Sequence, residues 1–492
     1  MPGGVGRRSI LGPPGLRALY CDPMRRLSKK TWLLILTAMT PGCVLIKPTD
    51  PYAGLGGRGL RRMAGLPSRV RATQPVEGPL TLAEAIHVAL ANNPELAASR
   101  HDVEAADAQR DAAFGALLPS VGLVGGYARY LDDQRLLPAR YNGEPGVFGD
   151  DIFTADLGLT APLFTGGRLI SEIKVAELLA QSASHRLARN RDELVFNVSS
   201  VYYSILAQRR VVESLEFSRN ALAEHLKRVR DLIAAQKAAQ VDQLRTEVRL
   251  ADLEQRLAGE KNVLAIQSRL LTNLLGLQQV GQPVEPQDAL PDSAESPPDI
   301  AVALDQAFGR RPDYLAARAA LEAQAKAVDA ARAGHWPTVS LQASYGRRWA
   351  ASPTTQPAGA DREADVGRVG VVVEIPIFEG GRIAARVRQE RAKLRAAQER
   401  LRRLELQVQL DVETAILNIS AAARRVKATE KAIEQAKESL RIEREKYDLG
   451  KGAIVDVLDA QSALLDAQTN YFRALADQNI AVTQLKLATG EQ

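Results

Sequence analysis

The sequence predicts a mainly α-helical fold with a transmembrane β part, built from a duplicated unit of helix, two strands, very long helix and returning helix. Three observations predict it. First, the chain repeats itself. Leu118-Pro119-Ser120-Val121, then Pro162-Leu163-Phe164-Thr165-Gly166-Gly167-Arg168, returns as Trp336-Pro337-Thr338-Val339, then Pro376-Ile377-Phe378-Glu379-Gly380-Gly381-Arg382. Pro94 and Pro119 have counterparts 218 residues on, at Pro312 and Pro337. After a four-residue contraction, Gly166, Asp242 and Gly276 have theirs 214 on, at Gly380, Asp456 and Gly490. A register kept over most of the chain means that one structural unit was duplicated. Second, strand-like alternation precedes each Gly-Gly pair. Third, each pair opens a helical run too long for a single-layer globular core.

Taken in order, residues 1–43 read as an export signal, with 24–43 its working part. Met24 to Lys30 supplies the positive region, Trp32 to Met39 the apolar stretch, and Thr40-Pro41-Gly42-Cys43 ends it. The stretch is too short to remain as a membrane-spanning helix. Gly before Cys resembles a lipobox, so Cys43 is expected to carry a covalent lipid and to become the mature N-terminus; no other cofactor is expected. Residues 1–42 hold seven Lys/Arg and one acid, which leaves 57 basic and 57 acidic residues beyond them. The net charge of +6 is therefore a property of the leader and gives no ground for nucleic-acid binding. Residues 44–79, rich in Gly, Pro and Arg, read as a flexible tether.

The first repeat covers 80–280. Thr81-Leu82-Ala83-Glu84 is a capping box for a helix to about Asn92, and Asn93-Pro94 starts a second helix that Pro119 stops at about Leu118. Strands follow at about 119–130 and 153–164. In the second of these Ala155, Leu157, Leu159, Ala161 and Leu163 alternate with Thr154, Asp156, Gly158 and Thr160. From Arg168 to Gln236 there are 69 residues without proline or glycine, a rod of roughly 100 Å if helical. The returning helix spaces Leu250, Leu253, Leu257, Leu264, Leu271 and Leu274 as a coiled coil does. Proline-rich 281–299 is a linker, and the second repeat covers 300–490, with strands at about 337–349 and 366–378.

Ten-residue segments, apolar on one side and polar or small on the other, fit a membrane barrel wall; a soluble one-faced sheet would read the same in isolation. Four strands are too few to close such a barrel, which needs about eight, whereas three chains supply twelve. Tyr127, Tyr130, Phe153 and Trp349 at one end of the strands, and Phe164 and Phe378 at the other, are candidates for interfacial girdles.

Chemistry is poorly served by this chain. Its five histidines form no close pair suited to zinc, its Gly-Gly pairs lack the Lys-Ser/Thr of a phosphate loop, and no nucleophile constellation stands out. An enzyme is not expected, nor a metal site.

With the pieces placed, the chain resembles the TolC family of outer-membrane efflux channels over about residues 80–490. The duplicated Pro-apolar-Phe-x-Gly-Gly turns, Asn93-Pro94-Glu95-Leu96, and Tyr447-Asp448-Leu449-Gly450-Lys451-Gly452-Ala453-Ile454-Val455-Asp456-Val457-Leu458-Asp459-Ala460 carry the resemblance. It implies a homotrimer whose twelve-stranded barrel in the outer membrane of a Gram-negative bacterium continues as a periplasmic α-helical coiled-coil barrel. Cys43 looks like the lipoprotein branch. The resemblance further implies a passive exit duct, with a periplasmic adaptor and an inner-membrane transporter (RND, ABC or MFS type) docking at the far end. The docking turns are then Gln236 to Gln240, including Lys237, and Gly450 to Ala453, including Lys451 and Gly452. Asp456 and Asp459 match the aspartates of the closed entrance, and Asp242 and Tyr447 match latch positions; the latch arginine is replaced by Gly452. Independently, Asp456 and Asp459 stand three apart, so both project from one helical face, and threefold symmetry would gather six carboxylates on one axis. Two other readings stay open: the same duct serving type I protein secretion, and a lipid-anchored periplasmic coiled-coil scaffold without a pore.

Overall fold

The computed structural model describes residues 78–137, 145–236, 239–277, 284–291 and 298–491. The expected signal, Cys43, nearly all of the tether, Lys237 and parts of the linker lie outside the described residues. Helix α1 (Leu82–Asn92) starts on the expected capping box: the Thr81 hydroxyl accepts from the Glu84 N–H, and the Glu84 carboxylate accepts from the Thr81 N–H. Asn93 caps α2 (Pro94–Gly115), its side-chain oxygen accepting from the Glu95 and Leu96 N–H groups. The helix closes at Gly115 instead of Leu118 because Leu117 and Leu118 tighten to three-residue bonds ahead of Pro119.

The strands are β1 (Ser120–Arg135), β2 (Phe148–Phe164), β3 (Thr338–Ala350), a short β4 (Pro353–Thr355) and β5 (Glu363–Glu374). They form one antiparallel sheet in the order β1-β2-β3-β5, with β4 added beside β2. The expected limits need three corrections. The β1–β2 ladder resumes beyond a bulge between Arg129 and Gln134, so both strands are longer than read from the sequence. Strand β4 carried no alternation long enough to be seen. Strand β5 stops at Glu374 rather than Phe378, just ahead of Pro376, which has no N–H to give a ladder. Its counterpart Pro162 stays inside β2 where that strand is paired on the β3 side alone, the β1 ladder having ended at Thr160, and the β3 ladder slips by one residue between Pro162 and Phe164.

Long helices leave the sheet through the two glycine pairs. Gly166 and Gly167 have φ of +64° and +82°, and Gly380 and Gly381 have +60° and +80°, two consecutive left-handed residues that a side chain disfavours. Helix α3 (Arg168–Ala234) and, in the second repeat, α7 (Arg382–Asp448) are each 67 residues. The return helices are α4 (Gln240–Leu274) and α8 (Ile454–Thr489), and α5 (Ile300–Arg310) with α6 (Pro312–Arg332) repeats the α1–α2 pair. Helix α2 packs on α3, α3 on α6 and α6 on α7; toward the far end α4 packs on α3, α3 on α8 and α8 on α7.

The duplication is visible in the core. Leu194, Val198, Tyr202 and Ile205 of α3 lie under Ala85 and Ala89 of α1. Val408, Val412 and Ile416 of α7 lie under Ala303 and Ala307 of α5, and Ile419 is buried one turn further on. Alanines on the short helices let the backbones approach, and the long helices supply the volume.

The glycine pairs are not equivalent. A Cβ at Gly166 would stand 2.5 Å from Trp336 Cβ and 3.0 Å from the Ala333 carbonyl, whereas one at Gly380 meets nothing within 4 Å. Gly380→Ala is expected to cost about 1–2 kcal/mol of left-handed strain, and Gly166→Ala clearly more. Equal losses in thermal melting would show that the Trp336 contact does not matter.

Candidate channel entrance and membrane face

The alternation read from the sequence becomes a face because the register aligns it. Leu123 pairs with Leu157 and Leu157 with Tyr345; Val121 pairs with Leu159, Leu159 with Ala343 and Ala343 with Val369; Ala161 pairs with Leu341 and Leu341 with Val371. Directly paired residues share a face, so these rows lie on one side of the sheet. That side is not covered: Leu123 is 76% exposed and Val369 74%. At its outer edge Tyr127, Phe153 and Trp349 pair in register, with ring centroids 4.7 Å and 5.3 Å apart. An apolar field ending in an aromatic row is the chemistry of a bilayer surface and its headgroup boundary. On the opposite side Thr160 pairs with Gln342, and Gly158 with Ser344, which pairs with Arg368. Tyr130 lies where the β1–β2 register shifts and does not join that row; at the opposite end of the sheet Phe164 closes β2, while Phe378 lies beyond the end of β5.

The far end is built by two helix turns. Leu449 to Ala453 links α7 to α8, with Gly450 at φ +71°. In the first repeat Gln236 takes the corresponding place at φ +59°, the one side chain among the described residues with positive φ. Such a conformation strains a glutamine by roughly 1–2 kcal/mol.

Ile454, Val457 and Leu458 turn inward at the start of α8 and are buried, which leaves Asp456 and Asp459 exposed on the other face. Asp456 Oδ2 accepts from the Ala453 N–H at 3.4 Å, so it also caps the helix. Asp459 is 72% exposed and lies 3.9 Å from Arg249 of α4, too far for a firm pair. The two carboxylates share a face, as their spacing required.

Asp242, in the first turn of α4, and Tyr447, near the end of α7, are both half-buried. The Tyr447 phenol is pushed up first by burial, then by the charges of Asp242 and Asp448. The fold therefore brings the two expected latch residues within electrostatic range, with no hydrogen bond joining them. The neighbour missed from the sequence is His225 of α3, whose ring lies 5.8 Å from that of Tyr447. Burial lowers its pKa first, Arg228 and Arg444 lower it further, and Asp448 opposes them. A lone histidine amid charged helix positions carries no periodic signal, so only the packing reveals it. These side chains line a cleft of about 510 Å³ with Arg228, Asp231 and Gln461. A side chain at Gly452 would be crowded: its Cβ would sit 3.0 Å from Lys446 Cβ and 3.2 Å from the Tyr447 nitrogen, so the turn would have to give by a few tenths of an ångström to take an arginine. Lys451 beside it is exposed, its N–H donating to the Lys446 carbonyl at 2.8 Å.

The model of the family described as "Outer membrane efflux protein" matches residues 85–277 and 303–491, one segment for each repeat. The chain belongs to that family. It is 25% identical over 419 residues to "Outer membrane protein TolC" of Vibrio cholerae serotype O1, covering 83% of this chain and 90% of the relative. It is 24% identical over 418 residues to "Alkaline protease secretion protein AprF" of Pseudomonas aeruginosa, covering 84% of each. The fold matches that of the outer-membrane channel OprN with a TM-score of 0.71 at 20% identity, over 84% of this chain and 90% of that one. The TolC-like reading of the duplicated turns thus holds. This efflux-family chain is an outer-membrane channel protein.

Proposed function

We propose that three copies of this chain form the passive exit duct of a tripartite efflux pump. Their sheets join into a twelve-stranded pore and their helices into the periplasmic tunnel below it. The observation that carries this reading is the exposed apolar face, aligned across β1, β2, β3 and β5 and bounded by Tyr127, Phe153 and Trp349, on a sheet whose other face is polar. Lipid outside and water inside account for both faces, whereas a soluble scaffold leaves the uncovered apolar face unexplained. A periplasmic adaptor and an inner-membrane transporter dock where α3 turns into α4 and α7 into α8, at Gln236 and Gly450 to Gly452. Asp456 and Asp459 ring the entrance, with Asp242 and Tyr447 beside it. Substrate passes unchanged, so no catalytic residue, metal or cofactor takes part. The leader assigns a lipid to Cys43, which palmitate labelling of wild type and Cys43→Ser tests. A relative named for protease secretion keeps the type I reading as the second one, because a passive pore takes its cargo from the inner-membrane partner.

Planar-bilayer recording of the purified full chain tests the duct. Discrete conductance steps from heat-modifiable trimers are expected; a soluble monomer that never inserts would return the chain to the scaffold class.

A further inference from the structure

The chain contains an internal copy of the surface by which it meets its neighbour. Helices α2, α3, α6 and α7 pack in that order, so α2 and α7 are the two ends of the row, as β1 and β5 are the ends of the sheet. The contact between α3 and α6 joins the long helix of one repeat to the short helix of the next. By the duplication, α7 is the equivalent of α3, and α2 that of α6. A row continued by a second copy therefore places its α2 on α7, and the α3–α6 contact supplies the register.

In that contact the Ser182 hydroxyl donates to the Ala316 carbonyl at 2.9 Å, and the Arg189 guanidinium, which donates to Glu193 at 2.6 Å, lies 3.9 Å from the Asp313 carboxylate, within electrostatic attraction but not a firm pair. The 214-residue offset carries Ser182 to Ala396 and Arg189 to Arg403, and the 218-residue offset carries Ala316 back to Ala98 and Asp313 back to Glu95. Small residues fall on small residues at the close approach, and a guanidinium again falls on a carboxylate. Ala98, Glu95, Ala396 and Arg403 are all exposed, and neither Arg403 nor Glu95 makes an ion pair within the protomer among the described residues. Arg388, Arg391, Arg395 and Arg402 are likewise exposed on α7 and likewise without an ion pair there. Their first-repeat counterparts are Lys174, Glu177, Gln181 and Ala188, so this arginine-rich surface belongs to the end of the row and not to the repeat as such. Helix α2 offers Asp102 and Glu104, both exposed, beyond Glu95.

We propose that Arg403 pairs with Glu95 of the partner subunit, and that this pair sets the register in which α7 receives the neighbouring α2. The pair rests on the trimeric reading above. Its chemistry is that of an exposed guanidinium–carboxylate contact repeated around the ring, flanked by a basic edge that meets an acidic one. Such a contact specifies alignment more than it supplies affinity, and it weakens as salt rises.

The test uses the full chain in detergent. Arg403→Cys with Glu95→Cys, oxidised gently, is expected to run as dimer and trimer on a non-reducing gel, with either single variant running as wild type does. Arg403→Glu and Glu95→Arg are each expected to shift the trimer–monomer midpoint by about tenfold toward monomer, since the change recurs at each interface of the ring. The double reversal is expected to restore the midpoint. Wild-type trimers with no cross-link, or with reversals that act independently, overturn the pair and leave the channel reading standing. A wild-type chain that does not trimerise overturns both.

Discussion

Arg311→Ala is expected to destabilise the helical body by about 3–5 kcal/mol, the loss typical of removing one partner from a buried ion network. Arg311 is only 3% exposed and precedes α6, where its fork reaches two elements at once. Nε donates to Asp313 Oδ1 at 2.8 Å, and a terminal nitrogen donates to Asp411 Oδ2 of α7 at 2.7 Å. Asp313 also lies 3.9 Å from Arg189 of α3, which adds a longer-range attraction to this tie between α6 and α7. Burial by itself lowers the guanidinium pKa, but the two carboxylates outweigh it and the net direction is upward. Without Arg311 they face each other with no shared cation, and the N–H groups they once accepted from are gone. Arg311→Lys is expected to recover only part of the loss, because an ammonium cannot bond in two directions from one plane. Circular-dichroism melts of the three proteins check this. A melting temperature of Arg311→Ala equal to wild type would mean that the network is incidental.

Asp456→Ala with Asp459→Ala is expected to leave folding and trimerisation intact while cutting the cation preference of the entrance about fivefold. In water, a carboxylate attracts a monovalent cation about 8 Å away by roughly 0.5 kcal/mol, and physiological salt reduces that by more than half. Six such groups on one axis still sum to about a fivefold bias. Asp456 accepts from the Ala453 N–H, so alanine also removes a cap; the Asn/Asn double variant keeps the cap and removes both charges. Reversal potentials in a salt gradient distinguish the cases. Equal selectivity in wild type and the Asn/Asn variant would take both residues out of the gate.

The repeat, the strands and the long helices were legible because each rests on local periodicity: alternation for a half-covered sheet, proline- and glycine-free runs for helices, paired glycines where φ must be positive. Strand limits were less legible. Pro162 stays in a ladder and Pro376 does not, and the difference lies in the local pairing at each, which no window of sequence contains. Asp456 and Asp459 could be placed on one face from their spacing. The nearness of Arg249 to Asp459, the approach of Asp242 to Tyr447 and the ring of His225 beside it join residues from different helices, and no interval in the sequence encodes them.

By itself, the sequence determined the duplicated unit, the order of its long elements, the two turns at the far end and the apolar side of the four long strands, because these follow from backbone stereochemistry and the periods of helix and strand. Only the tertiary structure decided that the apolar sides align across four strands into one uncovered field, that Arg311 links α6 to α7, and that α3 of one repeat packs on α6 of the next. Those depend on register and on which elements become neighbours, and a single residue of slip would have sent every strand's apolar side the other way.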